Sequence, residues 1–165
     1  MFSLVAFACF VLLAYSQGNP PLKMVQAIPL PGVEGRIDHL SVDLKGQRLF
    51  IAALGNNTLE VVDLAQGKRI RSITGLLEPQ GVVYIPDLDQ VVVANGDDGT
   101  VRTFDAKSFT TVSSLTLGDD ADNVRYDSTG GRLVVGYGAG ALGFIDAKSH
   151  KVSRPISGEL SNGIG

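Results

Sequence analysis

All-β, assembled from a repeated four-stranded unit, is the fold class this sequence predicts, and three observations predict it. Residues 38–63 are stated three times: a step of 42 residues carries Asp38 to Gln80 to Asp122, and Leu49 to Val91 to Leu133. Each copy holds four short apolar runs separated by Gly, Pro, Asp and Asn, the residues that supply turn geometries. Glycine is abundant, 20 of 165 residues, and helix-favouring runs are scarce. A fixed period near 40 with four strands per copy is the signature of β-propeller blades.

Taken in order, the chain opens with an apolar run over residues 2–14. It is shorter than the roughly 20 residues that cross a membrane and fits the hydrophobic core of a secretory signal. Small residues at Ala14 and Ser16 place cleavage before Gln17, so residues 1–16 are read as a signal peptide. No cation precedes the run; the first is Lys23. The expected location is exported, periplasmic or extracellular, with no transmembrane segment in the mature chain. Cys9, the single cysteine, would leave with the signal, so no disulfide is expected.

Residues 17–36 read as a linker followed by a strand at 23–30, KMVQAIPL, that would pair into the last blade and close the ring. Closure removes sheet edges that otherwise invite aggregation. Blade 1 is then 37–78, blade 2 is 79–120 and blade 3 is 121–158, with 159–165 opening a fourth. The innermost strands are read at 39–42, 81–84 and 123–126. The second strands, 49–52, 91–94 and 133–136, are apolar on both faces, as a strand packed between two neighbours should be. Third strands lie at 59–62, 101–104 and 142–145, each followed by an aspartate: Asp63, Asp105 and Asp146. Such a short carboxylate can accept hydrogen bonds from the turn after it, so these three are read as structural. The third copy is one residue short, which moves its aspartate to 146. Fourth strands at 69–73, 111–115 and 152–156 are the most polar, as an outer edge should be.

The strings LFIAALGNNTLEVVDL, VVVANGDDGTVRTFDA and LVVGYGAGALGFIDA resemble the YVTN-type repeat of the YncE-like propellers. Val92-Val93-Ala94-Asn95 is the nearest match to the motif that names the repeat. The resemblance covers residues 37–156 and implies a seven-bladed, exported binding scaffold without catalysis of its own. It also implies that the chain is the N-terminal part of a longer protein. Related propellers include lactonases and quinone- or haem-bearing dehydrogenase subunits. The alternative is therefore an enzyme of that kind with its active groups partly in further blades.

Loops entering the innermost strands ring one mouth of a propeller channel. They place Arg36, Asp38, His39, Gln80, Asp122 and Asn123 at a candidate site for a small-molecule or protein ligand. The other reading makes these side chains loop caps and blade-to-blade hydrogen bonders. Asp119, Asp120 and Asp122 bring three carboxylates into four residues, a donor set that suits calcium, although the closing glutamate of a calcium loop is missing. His39 beside Asp38 could act as a general base, yet neighbours in an extended strand point to opposite faces and would not pair. There is no nucleophile elbow, paired-cysteine motif or phosphate loop, and no cofactor is expected. The net charge of −3 gives no basic face for nucleic acid.

Overall fold

A computed structural model describes residues 22–157 and places them in three antiparallel four-stranded sheets. Blade 1 runs β1 (Leu40–Asp43), β2 (Arg48–Ala53), β3 (Thr58–Asp63) and β4 (Lys68–Ile73). Blade 2 runs β5 (Pro79–Ile85), β6 (Gln90–Asn95), β7 (Thr100–Asp105) and β8 (Thr111–Thr116). Blade 3 runs β9 (Val124–Asp127), β10 (Arg132–Tyr137), β11 (Ala141–Asp146) and β12 (Val152–Ser157). Within every sheet the strand order is the chain order, so each blade is a simple meander. All twelve strands fall where the repeat predicts them, within two residues at either end. The all-β propeller-blade architecture is thus the observed one. Residues 1–21, with the apolar run and Cys9, lie outside the described residues, as do 158–165.

The alternation of β6 explains the packing. Val91 and Val93 turn to blade 1, where they meet Phe50, Leu59 and Val61, all fully buried. Val92 and Ala94 turn to blade 3, where they meet Val124, Val135 and Ile145. A strand apolar on both faces is buried on both, and each such Val or Phe contributes about 1.5–3 kcal/mol. The core is therefore two seams between blades rather than one central cluster.

The first seam is also pinned by charge at the turn joining β1 to β2. Asp43, 2% exposed, accepts the Gly46 N–H at 2.8 Å and Arg48 Nε at 2.8 Å. The Arg48 guanidinium crosses to blade 2, donating to the Ala106 carbonyl and to Asp89 Oδ1 at 2.9 Å. It also lies 5.7 Å from the Tyr84 ring centroid, and Tyr84 donates its hydroxyl to Asp89 at 2.9 Å. Burial pushes the Asp43 carboxyl up, but the Gly46 N–H and Arg48 outweigh it and hold it below the usual carboxylate value. Burial and the neighbouring Asp89 raise the Tyr84 phenol.

Asp63 accepts the Gln66 N–H at 2.8 Å, Asp105 the Ser108 N–H at 2.6 Å and Asp146 the Ser149 N–H at 2.7 Å. Each ties down the turn to its outer strand. In every blade the pairing of the third strand with the fourth carries a register shift. Such bulges blunt an exposed edge.

One expected element is different. Residues 23–30 form no strand. A strand exists only through a ladder partner, and none of the described residues pairs with this segment. Leu22, Met24 and Val25 are exposed, and Pro29 and Pro31 cannot donate to a ladder. Further along, the segment meets the mouth end of blade 1, where Gly55 N–H donates to the Arg36 carbonyl at 3.0 Å.

Candidate functional site at the channel mouth

The mouth is shaped by an irregularity that all three blades share. Asp38 N–H donates to the Ala52 carbonyl at 2.9 Å, while Ala52 N–H donates to the His39 carbonyl at 3.0 Å. Two residues of the inner strand thus oppose one of the next, which is a β-bulge. Asp122 and Asn123 oppose Gly136 in the same way, both bonds at 2.9 Å. In blade 2 the register shifts between Pro79 and Val82, so Gln80 and Gly81 oppose Ala94. Bulges re-aim side chains and recur beside functional sites. Here they act on the six positions 38, 39, 80, 81, 122 and 123.

The bulge overturns the expectation that Asp38 and His39 point apart. Strand alternation does not hold across it, and Asp38 Oδ1 lies 3.3 Å from His39 Nδ1. The contact has ion-pair distance but not hydrogen-bond geometry, and Nδ1 is buried without a hydrogen-bond partner. The other carboxylate oxygen of Asp38 accepts from Arg36 Nη2 at 2.6 Å. That hydrogen bond raises the Arg36 pKa, the Asp38 charge adds to it, and Asp122 and Glu78 contribute from farther away. Arg36, Asp38, Glu78 and Asp122 therefore share one electrostatic neighbourhood, drawn from the segments that lead into β1, β5 and β9. Gln80 donates to Asp120 Oδ1 at 3.4 Å, tying β5 to the segment that leads into β9. Asn123 Oδ1, in the same repeat column as His39, is also buried with no hydrogen-bond partner.

The blades approach closely here. The His39 N–H donates to the Gln80 carbonyl at 3.4 Å. At Gly81 a Cβ would collide with the Asp122 carbonyl oxygen and stand 2.8 Å from Val124 N. Glycine in that column is what lets the inner strands of blades 2 and 3 touch. A hollow of about 320 Å³ opens next to Asp120, Asp122, Asn123 and Tyr137.

The three carboxylates Asp119, Asp120 and Asp122 do not gather around a common point. Asp120 takes a left-handed backbone, φ 50°, and turns its oxygen towards Gln80. Among the described residues no group of three His, Cys, Asp or Glu side chains could hold a metal ion. Nor is any helix among them long and apolar enough to cross a membrane.

Comparison with known proteins places the fold. Hydrazine synthase of Kuenenia stuttgartiensis is similar to this chain in structure, with a TM-score of 0.66. These are propeller blades. The identity is 19%, over 71% of this chain and 34% of the hydrazine synthase chain, so the likeness speaks to fold alone. The chain spans about a third of the length of that protein. No family model matches it. A search of curated proteins also finds no match.

Proposed function

We propose that the chain supplies blades of an exported, YncE-like binding scaffold that holds a ligand at the channel mouth and carries out no catalysis of its own. The observation that carries this reading is the bulge repeated in three blades at one column, which brings Asp38, His39, Gln80, Asp122 and Asn123 to the same rim. Three carboxylates, Asp38, Glu78 and Asp122, act on one guanidinium there, Arg36, and a fourth, Asp120, accepts from Gln80. That balance favours a small ligand bearing positive charge. A thermal-shift titration with primary amines and with divalent cations tests it, comparing the native chain with Asp38→Ala and Asp122→Ala. Stabilisation lost in both variants supports the reading; stabilisation unchanged in both excludes the mouth.

One observation favours the alternative, a lactonase- or dehydrogenase-like propeller: the 3.3 Å approach of Asp38 to His39 supplies an imidazole with a neighbouring carboxylate. Lactone hydrolysis that disappears in His39→Ala would move the assignment to an enzyme.

A further inference from the structure

The two seams differ at the end of the blades remote from the mouth. At the first seam a hollow of about 400 Å³ is lined by Asp43, Lys45, Arg48, Tyr84 and Asp89. Its floor is a locked ion cluster, because Arg48 already has its acceptors and lies over Tyr84. One repeat later the same place has lost that cluster. Arg48 becomes Gln90, Asp43 becomes Ile85 and Asp89 becomes Gly131, while Tyr84 is kept as Tyr126. The resulting hollow, about 360 Å³, is floored by Tyr126 and Leu88 and rimmed by Asp87, Ser128, Thr129 and Lys148. Tyr126 and Leu88 pack on the core of the second seam, which fixes their positions. Gln90 is drawn aside, its Oε1 3.3 Å from His150 Nε2.

We propose that this second-seam hollow is a binding site for a neutral carbohydrate. An apolar floor with a few polar groups on the rim is the usual build of a small-ligand site, and the volume falls in the range of about 300–1,000 Å³. One carboxylate and one ammonium on the rim cancel, so neither sign of ligand charge is favoured. The tyrosine ring offers a face for the C–H side of a pyranose, and the rim supplies donors and acceptors for its hydroxyls. The site lies at the opposite end of the blades from the mouth and stands whatever binds there.

The test uses the whole 165-residue chain, labelled with 13C in its tyrosine rings. The probes are D-glucose, N-acetylglucosamine and their β-linked disaccharides, with glucosamine and glucose 6-phosphate as charged counterparts. The expected result is a saturable shift of the Tyr126 resonances that is strongest with the neutral sugars. Gln90→Arg/Gly131→Asp rebuilds the arginine–aspartate pair over the ring, the counterpart of Arg48 and Asp89, without altering Tyr126. Residue 131 has φ 63° and Asp89 has φ 47°, so aspartate already holds that backbone one blade earlier. Binding should weaken at least about tenfold in this double variant, equivalent to 1.4 kcal/mol or more. Tyr126→Ala removes the reporting ring, so its binding is followed by isothermal titration calorimetry; it should weaken binding similarly and gives an independent reading should the double variant fold poorly. No saturable shift with any neutral sugar overturns the proposal. So does tighter binding of either charged sugar, or neutral-sugar binding that keeps its affinity in both variants.

Discussion

Replacing Arg48 with methionine should destabilise the protein by about 3 kcal/mol. The change keeps most of the aliphatic stem and removes the charge that compensates Asp43. Asp43 is 2% exposed, so the variant leaves a buried carboxylate with the Gly46 N–H as its remaining strong partner. Breaking a buried pair by deleting one member costs about 3–5 kcal/mol. The lower end applies because the Arg48 side chain retains 17% exposure and Asp89, at 48%, is largely screened by solvent. In a protein of this size that is a fall of about 6–12 °C in Tm. The assay is urea unfolding followed by far-ultraviolet circular dichroism, in a double-mutant cycle with Asp43→Asn. An amide at 43 can still accept the Gly46 N–H but needs no cation. The double variant should therefore lose less than the sum of the singles, with a coupling of about 2 kcal/mol. Additive losses, or a cost below about 1 kcal/mol for Arg48→Met, would show that the seam is held by its apolar side chains and not by this pair.

Three other outcomes follow from the same structure. Gly81→Ala should lower stability by about 3 kcal/mol, the upper end for overpacking, because its Cβ meets backbone on blade 3; Gly136→Ala, with open space around it, should be close to neutral in the same melt. Asp43, Asp105, Asp127 and Asp146 all have carboxyls held below the ordinary value, so they contribute stability above pH 4 that is lost as pH falls through their folded-state values. A pH series of melts should show a steep decline below about pH 3.9, and Asp43→Asn should make it shallower. Finally, residues 1–16 fused to a reporter that is active only after export should send it across the membrane, with cleavage before residue 17 found by N-terminal sequencing; a cytoplasmic, uncleaved reporter would remove export from the proposed function.

The blades were legible because period and hydrophobicity act locally. Leu49, Val91 and Leu133 recur at one spacing, and each strand needs only its hairpin neighbours to form. The mouth was legible as a set of positions but not as a geometry. Asp38 and His39 look like ordinary strand neighbours, and the bulge that brings them together lives in backbone bonds to Ala52, which involve no side chain that could announce it. Residues 23–30 look like a strand because propensity is a local property, whereas a ladder partner is not. The Arg48 clasp was missed because it reaches 58 residues ahead to Ala106. A signal for it was present: aspartate and arginine sit five apart as Asp43 and Arg48 and again as Asp127 and Arg132, and both are replaced together at Ile85 and Gln90. Paired gain and loss across copies marks a contact even within one chain.

The missing residue of the third copy has a definite address. Between second and third strands blades 1 and 2 each have four residues, 54–57 and 96–99, whereas blade 3 has 138–140. The deletion was absorbed at a hairpin tip on the mouth side, and no seam residue changed register on either flank. Evolution can therefore edit this rim by insertion and deletion at little risk to the scaffold. A descendant seeking a new ligand would be expected to lengthen these tips before it altered any strand.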